Sequence, residues 1–393
     1  MARLQIDIDY LAEQLKALLA IPSPAGFTDT VVRATCEELD RLGVPYDLTR
    51  RGAIRAWVKG KTSNQRRAVI SHLDTLGAQV KMIKDNGRLE LVPIGHWSAR
   101  FSEGARCTII SEKGSYRGTI LPLMASGHTF GEEVDKLPVG WPFVELRIDA
   151  LARTKADVGR LGIDVGDLVA IDPAPEFLDN GFIVSRYLDN KAGAALMLAC
   201  LQALAREEAV PTVDTYWLFS ISEEVGVGAS AVVPHDVASL VVVDNGTSAP
   251  GQNSAEFGVT IAMADQTGPF DYHLTRKLIQ LCRDNEIRFQ RDVFRYYRSD
   301  SASAIEAGAD VRTALATFGV DASHGYERIN MHALRSVAEL LTAYCLSPVM
   351  IERDAKELGP LKGFTEQPLE EAEQSLGPGK RNNGKRDNDK GDR

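Results

Sequence analysis

Five segments of this chain share one form, an apolar run that stops at a carboxylate or a histidine. They are Ala68–His72 with Asp74 beyond it, Phe182–Asp189, Tyr216–Glu224 with Glu223 beside it, Leu240–Asp244, and Thr313–His324. In an open α/β sheet, ligands gather outside the carboxyl ends of the strands. Five strand ends would bring two histidines, four carboxylates and the extra Asp74 to one pocket. So many acids together would repel and raise one another's pKa. A pair of divalent cations removes that conflict.

The residue types suit two metals about 3.5–4 Å apart, which need a bridging carboxylate and terminal N/O ligands. Asp189 is the natural bridge. His72 and Asp244 complete one site, and Glu224 and His324 the other. A bridging water fills the open position that catalytic sites keep. Asp74 is placed to orient the His72 imidazole. Adjacent residues on extended backbone point opposite ways, so Glu224 can bind metal while Glu223 acts as general base. Each motif alone has a blander reading. His-x-Asp is weak, Glu-Glu is commonly a solvated turn, and Asp189 could merely cap the helix after it. The conjunction carries the metal reading. Imidazole and carboxylate ligands suit zinc first, with cobalt or manganese as alternatives.

These residues need an α/β frame. Residues 8–20 place Ile8, Leu11, Leu15, Leu18 and Leu19 on one helical face. A second helix starts near Thr28 or Asp29 and closes at Gly43. Strands are expected at 54–58, 68–72, 181–187, 215–222, 240–243 and 311–318. Helices are expected at 191–206, 272–285 and 331–344. Between Ile83 and Asp172 the texture changes to short β-like pieces separated by turns, a small β-rich module inserted into the α/β chain. Its stretch Ser126–Trp141 reads as a long irregular loop. The expected organisation is a discontinuous catalytic domain (1–82 and 178–352), an inserted domain (83–177) and a disordered charged tail (360–393), whose last residues have almost nothing apolar.

With 393 residues, 44% apolar and 25% charged, the chain has the composition of a soluble two-domain protein. Its net charge of −9 disfavours nucleic acid and anionic membrane. No apolar run approaches a membrane span of about 18–20 residues. The five cysteines are scattered without a Cys-x-x-Cys spacing, and the N-terminus reads as no signal peptide. A cytoplasmic protein without disulfides is expected.

Together, His72-Leu-Asp74-Thr-Leu-Gly77, Leu188-Asp189-Asn-Lys-Ala-Gly193, Ser222-Glu223-Glu224-Val-Gly226-Val-Gly228-Ala229, Asp244, and His324 with Glu327 resemble the co-catalytic metallo-aminopeptidases of metallopeptidase family forty-two, the glutamyl, deblocking and tetrahedral aminopeptidase type. Ile163–Val169 resembles the family's turn closing its inserted domain. The resemblance covers roughly residues 10–350. It implies a mixed-sheet dimetal peptidase domain with a PDZ-like or barrel-like insertion, short-peptide substrates cleaved at the N-terminal end, and a homo-oligomer, in many members a dodecameric shell. Arg298–Ser303 and the charged tail resemble the branch in bacterial osmoprotectant clusters that make N-acetylglutaminylglutamine amide. Thr75, Asn190-Lys191 and Gly325-Tyr326 depart from the family pattern without removing a ligand, which leaves substrate preference open.

A dimetal carboxypeptidase or amidohydrolase acting on N-acylated substrates would use a similar ligand order, but inserts its extra domain late. Here Asp244 to His324 spans 80 positions, and Asp74 to Asp189 spans 115. That favours the aminopeptidase architecture. A catalytically inactive metal-binding shell would be expected to lack Glu223 or a ligand. His96, His128, His235, His273 and His332 read as ordinary surface or core residues. His128 alone sits in a loop that could reach a neighbouring subunit's site.

Overall fold

The computed structural model describes residues 4–355 and 359–367. Its strands, numbered along the chain, fall into three sheets. The main sheet holds β1 (Tyr46–Leu48), β2 (Ile54–Val58), β3 (Thr62–His72), β12 (Val213–Ser220), β13 (Val237–Thr247), β14 (Val259–Asp265), β15 (Gly268–Pro269), β16 (Phe289–Val293) and β17 (Arg312–Val320). A closed barrel holds β4 (Gly77–Ile83), β5 (Leu89–Ile94), β6 (Arg106–Ser111), β7 (Gly114–Pro122), β8 (Val144–Ile148) and β9 (Leu168–Ile171). A small sheet joins β10 (Glu176–Phe177), β11 (Phe182–Ser185) and β18 (Glu327–Asn330).

The main sheet runs β1-β2-β12-β3-β13-β17-β14-β15, with β16 on β14. Its centre, β12-β3-β13-β17, is parallel, while β2 and β14 flank it antiparallel. Parallel strands are covered on both faces and so read as near-continuous apolar runs. Leu240-Val-Val-Val is such a run, and all four residues are buried. Register then places the chemistry. His72 pairs with Ser220, Ile70 pairs with Val242, and Asp244 pairs with Thr317. Two residues past the Ile70–Val242 pair, His72 and Asp244 therefore stand in one row at the carboxyl ends of the strands.

The helix Leu188–Arg206 packs on β3 and β13 and against the helices Ile8–Leu19 and Met331–Leu346. Enclosed this way, it is apolar around nearly its whole circumference, and Leu188–Leu201 is buried throughout. The helix Asp29–Leu42 ends as expected at Gly43, whose φ of 68° suits glycine.

Several expectations are corrected. The segment ending at Asp189 does not supply a fifth end of the main sheet, because β11 pairs with β10 and β18. Asp189 instead enters from the first turn of the Leu188–Arg206 helix. The barrel begins at Gly77, inside a segment read as α/β. Ser126–Trp141 contains two single helical turns, Gly127–Phe130 and Glu133–Lys136. β14 and β16 lie beyond the expected strands, although β14 is also an apolar run that stops at a carboxylate, Asp265.

A second unit begins at Met350. Its described residues include a 3-10 turn at Glu352–Ala355, and Arg353 donates to the carbonyls of Gly359 and Pro360. Most of the expected charged tail, from 368 onward, lies outside the described residues.

Candidate metal centre

Asp189 stands between two imidazoles. Its Oδ1 is 3.2 Å from His72 Nε2 and its Oδ2 is 3.2 Å from His324 Nε2. Both rings are held from behind. His72 Nδ1 lies 3.0 Å from the Asp74 carbonyl, and His324 Nδ1 lies 2.8 Å from the His96 carbonyl. A ring that donates through Nδ1 keeps Nε2 as its free lone pair. The N–H of Asp189 donates to Glu327 Oε2 at 3.1 Å, which fixes the backbone beneath the carboxylate. Asp189 does not cap its helix. Asn190 takes that part, with its Oδ1 accepting the N–H of Gly193 at 3.1 Å.

Glu223 and Glu224 follow β12 in a turn tied down by Asp74, whose two carboxylate oxygens accept the N–H groups of Glu223 and Glu224 at 3.1 and 3.2 Å. The Asp74 carboxylate stands 3.5 Å from the His72 ring, so its carbonyl makes the closer contact. Glu224 Oε2 reaches within 3.9 Å of His324 Nε2, and Glu223 Oε2 within 3.7 Å of His72 Nε2. Ligand atoms of His72, Asp189 and Glu224, and of His72, Glu223 and Asp244, lie within 4.8 Å of one another.

The electrostatics show what this arrangement lacks. Burial pushes the Glu224 carboxyl up to about 8, and the charges of Asp189 and Asp74 add to it. Burial also raises Glu223, Asp244 and Glu327 well above the carboxylate range, each with further acids nearby. Burial alone would raise Asp189 too, but hydrogen bonds from His324 and His72 outweigh it and hold that carboxyl low. Burial would lower the imidazoles, yet Asp189 and its neighbours raise His72, and Glu224 and Asp189 raise His324 to about 11. Glu224 Oε1 is buried with no hydrogen-bond partner. An unpaired buried oxygen on a carboxylate whose other oxygen lies 3.9 Å from His324 Nε2 fits a cation in that space.

The profile of the M42 glutamyl aminopeptidase family matches residues 52–340. The chain belongs to that family. It is 36% identical over 339 residues to the provisionally named aminopeptidase YhfE of Bacillus subtilis (strain 168), covering 86% of this chain and 98% of that protein. Among solved structures, a TET aminopeptidase from a marine sediment thaumarchaeote superposes with a TM-score of 0.78. It is 19% identical and covers 86% of this chain and 96% of its own. The Pyrococcus horikoshii TET1 peptidase, described as assembling into a tetrahedron or a large octahedral shell, gives 0.76 at 21% identity, covering 86% of this chain and all of its own. This M42 protein is accordingly a metallo-aminopeptidase, and its mixed sheet and barrel have the TET aminopeptidase fold.

The seven residues singled out from the sequence, His72, Asp74, Asp189, Glu223, Glu224, Asp244 and His324, all meet at this centre. It opens into a cleft of about 730 Å³, walled on one side by the Phe294–Ser299 loop. Exposed His128 does not line that cleft, whereas His96 does. Asn190 and Lys191 do not line it either. Lys191 is buried and donates to the carbonyls of Leu18 and Ile21, each at 2.9 Å. Sequence reasoning also missed Asp300. Its buried carboxylate accepts the Ser220 hydroxyl at 2.5 Å and the Ala229 N–H at 2.8 Å, which anchors the far end of the Glu223 turn. Its position within Arg298–Ser303 was the only signal available.

Proposed function

We propose that this M42 protein removes N-terminal residues from short peptides at a centre for two divalent ions. His72, Asp189 and Asp244 would hold one ion, and Asp189, Glu224 and His324 the other, with Asp189 bridging. The observation carrying this reading is that each oxygen of Asp189 faces the free nitrogen of a different, rigidly held imidazole. Bound zinc or cobalt would polarise the scissile carbonyl and bring the pKa of a shared water toward about 7. Glu223, part of the cluster with His72 and Asp244 but not needed as a ligand, takes the proton from the attacking water and delivers it to the leaving amine. Asp74 and Asp300 hold the turn that carries it.

The barrel strands lie between Asp74 and Asp189, which supports an inserted domain there and the aminopeptidase reading over a late-insertion carboxypeptidase. The assemblies described for the TET neighbours support a homo-oligomer here, with a dodecamer as the first form to test. The five free, buried cysteines support a reducing compartment, the cytoplasm. Among the described residues no helix is long and apolar enough to cross a membrane.

Glu223→Gln tests the mechanism. It is expected to keep two metal ions per subunit and to lower kcat by about 10²–10⁴. Unchanged turnover removes Glu223 from the role of base. A panel of free, N-acetylated and amidated dipeptides tests the substrate. Cleavage confined to free amino ends supports the aminopeptidase reading. Cleavage confined to blocked dipeptide amides replaces it with dipeptide-osmolyte chemistry.

A further inference from the structure

The two imidazoles that face Asp189 are held from different parts of the fold. His72, the last residue of β3, is held by Asp74, two residues further along the chain. His324 is held by the carbonyl of His96, in the turn that follows barrel strand β5. The same turn presses on the other residue of that half. A Cβ at Gly95 would lie 2.4 Å from Leu76 Cδ2, 3.2 Å from the Glu224 carbonyl oxygen and 3.6 Å from Glu224 Cβ. Gly95 also has a φ of +80°, which side-chain-bearing residues adopt only with strain. The turn is pinned on its far side. The Trp97 indole donates to the Gly77 carbonyl at 2.9 Å, and its ring meets Trp141 edge-on at 4.9 Å.

We propose that the Gly95–His96 turn of the barrel is a positioning element for one half of the centre, Glu224 and His324, while the main sheet, with Asp74 just beyond β3, positions His72 and Asp244. The proposal rests on the ligand assignment above and adds to it a division of labour between the two sheets. It is a main-chain effect. The turn offers His324 a carbonyl at a fixed place, and it packs so close to Glu224 that an added Cβ would lie 3.2 Å from the Glu224 carbonyl oxygen. Displacing the turn frees the His324 ring about its side-chain bonds and shifts the Glu224 backbone. The tightest contact falls on the flexible end of the Leu76 side chain, outside the main sheet, and the row in which His72 and Asp244 stand keeps its strand pairings. Groups that orient ligands in this way are commonly worth 10–100-fold in metal affinity.

The test is a zinc titration of metal-free full-length protein, with bound Zn²⁺ counted per subunit and folding followed by circular dichroism. Wild-type protein is expected to hold two Zn²⁺. Gly95→Val is expected to keep one at wild-type affinity and to bind the second at least about tenfold more weakly. Gly95→Ala should shift the second ion in the same direction by less, and serves if the valine variant does not fold. His96→Ala keeps its main-chain carbonyl and is expected to keep both ions. Wild-type affinity for two Zn²⁺ in both Gly95 variants overturns the proposal. So does parallel weakening of both ions, or loss of the second ion in His96→Ala. Wild-type protein that binds fewer than two Zn²⁺ overturns the ligand assignment itself, and the proposal with it.

Discussion

Asp300 makes its contribution through groups it never shares with substrate. Its carboxylate accepts from Ser220, the last residue of β12, and from Ala229, beyond the Glu223 turn. Gly228 fits only because it has no side chain, since a Cβ there would lie 2.3 Å from Asp300 Oδ1 and 2.9 Å from Glu223 Cα. Asp300→Ala leaves both donors without that acceptor and lets the turn drift. Misplacing a catalytic group by about 1 Å can cost 10²-fold. Asp300→Ala is therefore expected to lower kcat by about 10–100-fold while KM and metal content stay near wild type. Steady-state kinetics with metal analysis checks this, and an unchanged kcat removes Asp300 from the supporting role. The candidate ligands stand out in the sequence because each ends, or nearly ends, an apolar run. Asp300 does not, because its partners lie 71 and 80 residues away. His96 does not, because it acts through a carbonyl, a group that every residue carries.

At the scale of elements, two contacts at helix ends have measurable worth. Arg67 is buried on β3, and its guanidinium donates to the carbonyls of Tyr344, Ser347 and Pro348 at the end of the Met331–Leu346 helix. A cation at a helix C-terminus satisfies orphan carbonyls and complements the helix dipole. Arg67→Ala removes these bonds, although the Tyr344 carbonyl still accepts from Ser347 and the Pro348 carbonyl from Lys277, and is expected to cost about 1–3 kcal/mol, measured by urea denaturation. Asp7 caps the first helix, its Oδ1 accepting the Tyr10 N–H at 3.0 Å. Asp7→Ala should cost about 1 kcal/mol at pH 7. The Tyr10 N–H holds the Asp7 carboxyl below its ordinary value. A carboxyl lowered on folding contributes fully above its unfolded pKa of about 4, and that contribution fades as pH falls through the folded value. The difference between wild type and Asp7→Ala should thus narrow at acid pH. A difference that grows on acidification contradicts the assignment. The first helix is legible because its apolar residues recur at a helical period. The order of strands in the main sheet is not, because it depends on pairings between distant segments.

For the molecule as a whole, burial fixes the behaviour of the thiols. All five cysteines are free and buried. Burial pushes Cys107, Cys282 and Cys345 up to about 12. The thiolate is the reactive species, so the native protein is expected to resist iodoacetamide at pH 8 and to be alkylated at all five sites after unfolding in guanidinium. Mass spectrometry counts the labels, and rapid native labelling at Cys107, Cys282 or Cys345 contradicts the packing described. The sequence reading anticipated the α/β class and the β-rich insertion, because period and turn chemistry change sharply between them. It placed the start of the insertion too late, because β4 begins only three residues after Asp74, with no turn signal of its own between them.

The spacing of the centre along the chain bears on how it is made. His72 leaves the ribosome first. The barrel with its His96 carbonyl follows, then Asp189, Glu223, Glu224 and Asp244, and His324 last. A nascent chain has its supporting turn ready well before the ring that the turn must hold. Until His324 emerges, only one half of the centre has its full set of proposed ligands. Loading of the second ion would therefore wait for residue 324, and a truncated chain that stops short of His324 would carry the acids of the site without the means to close it.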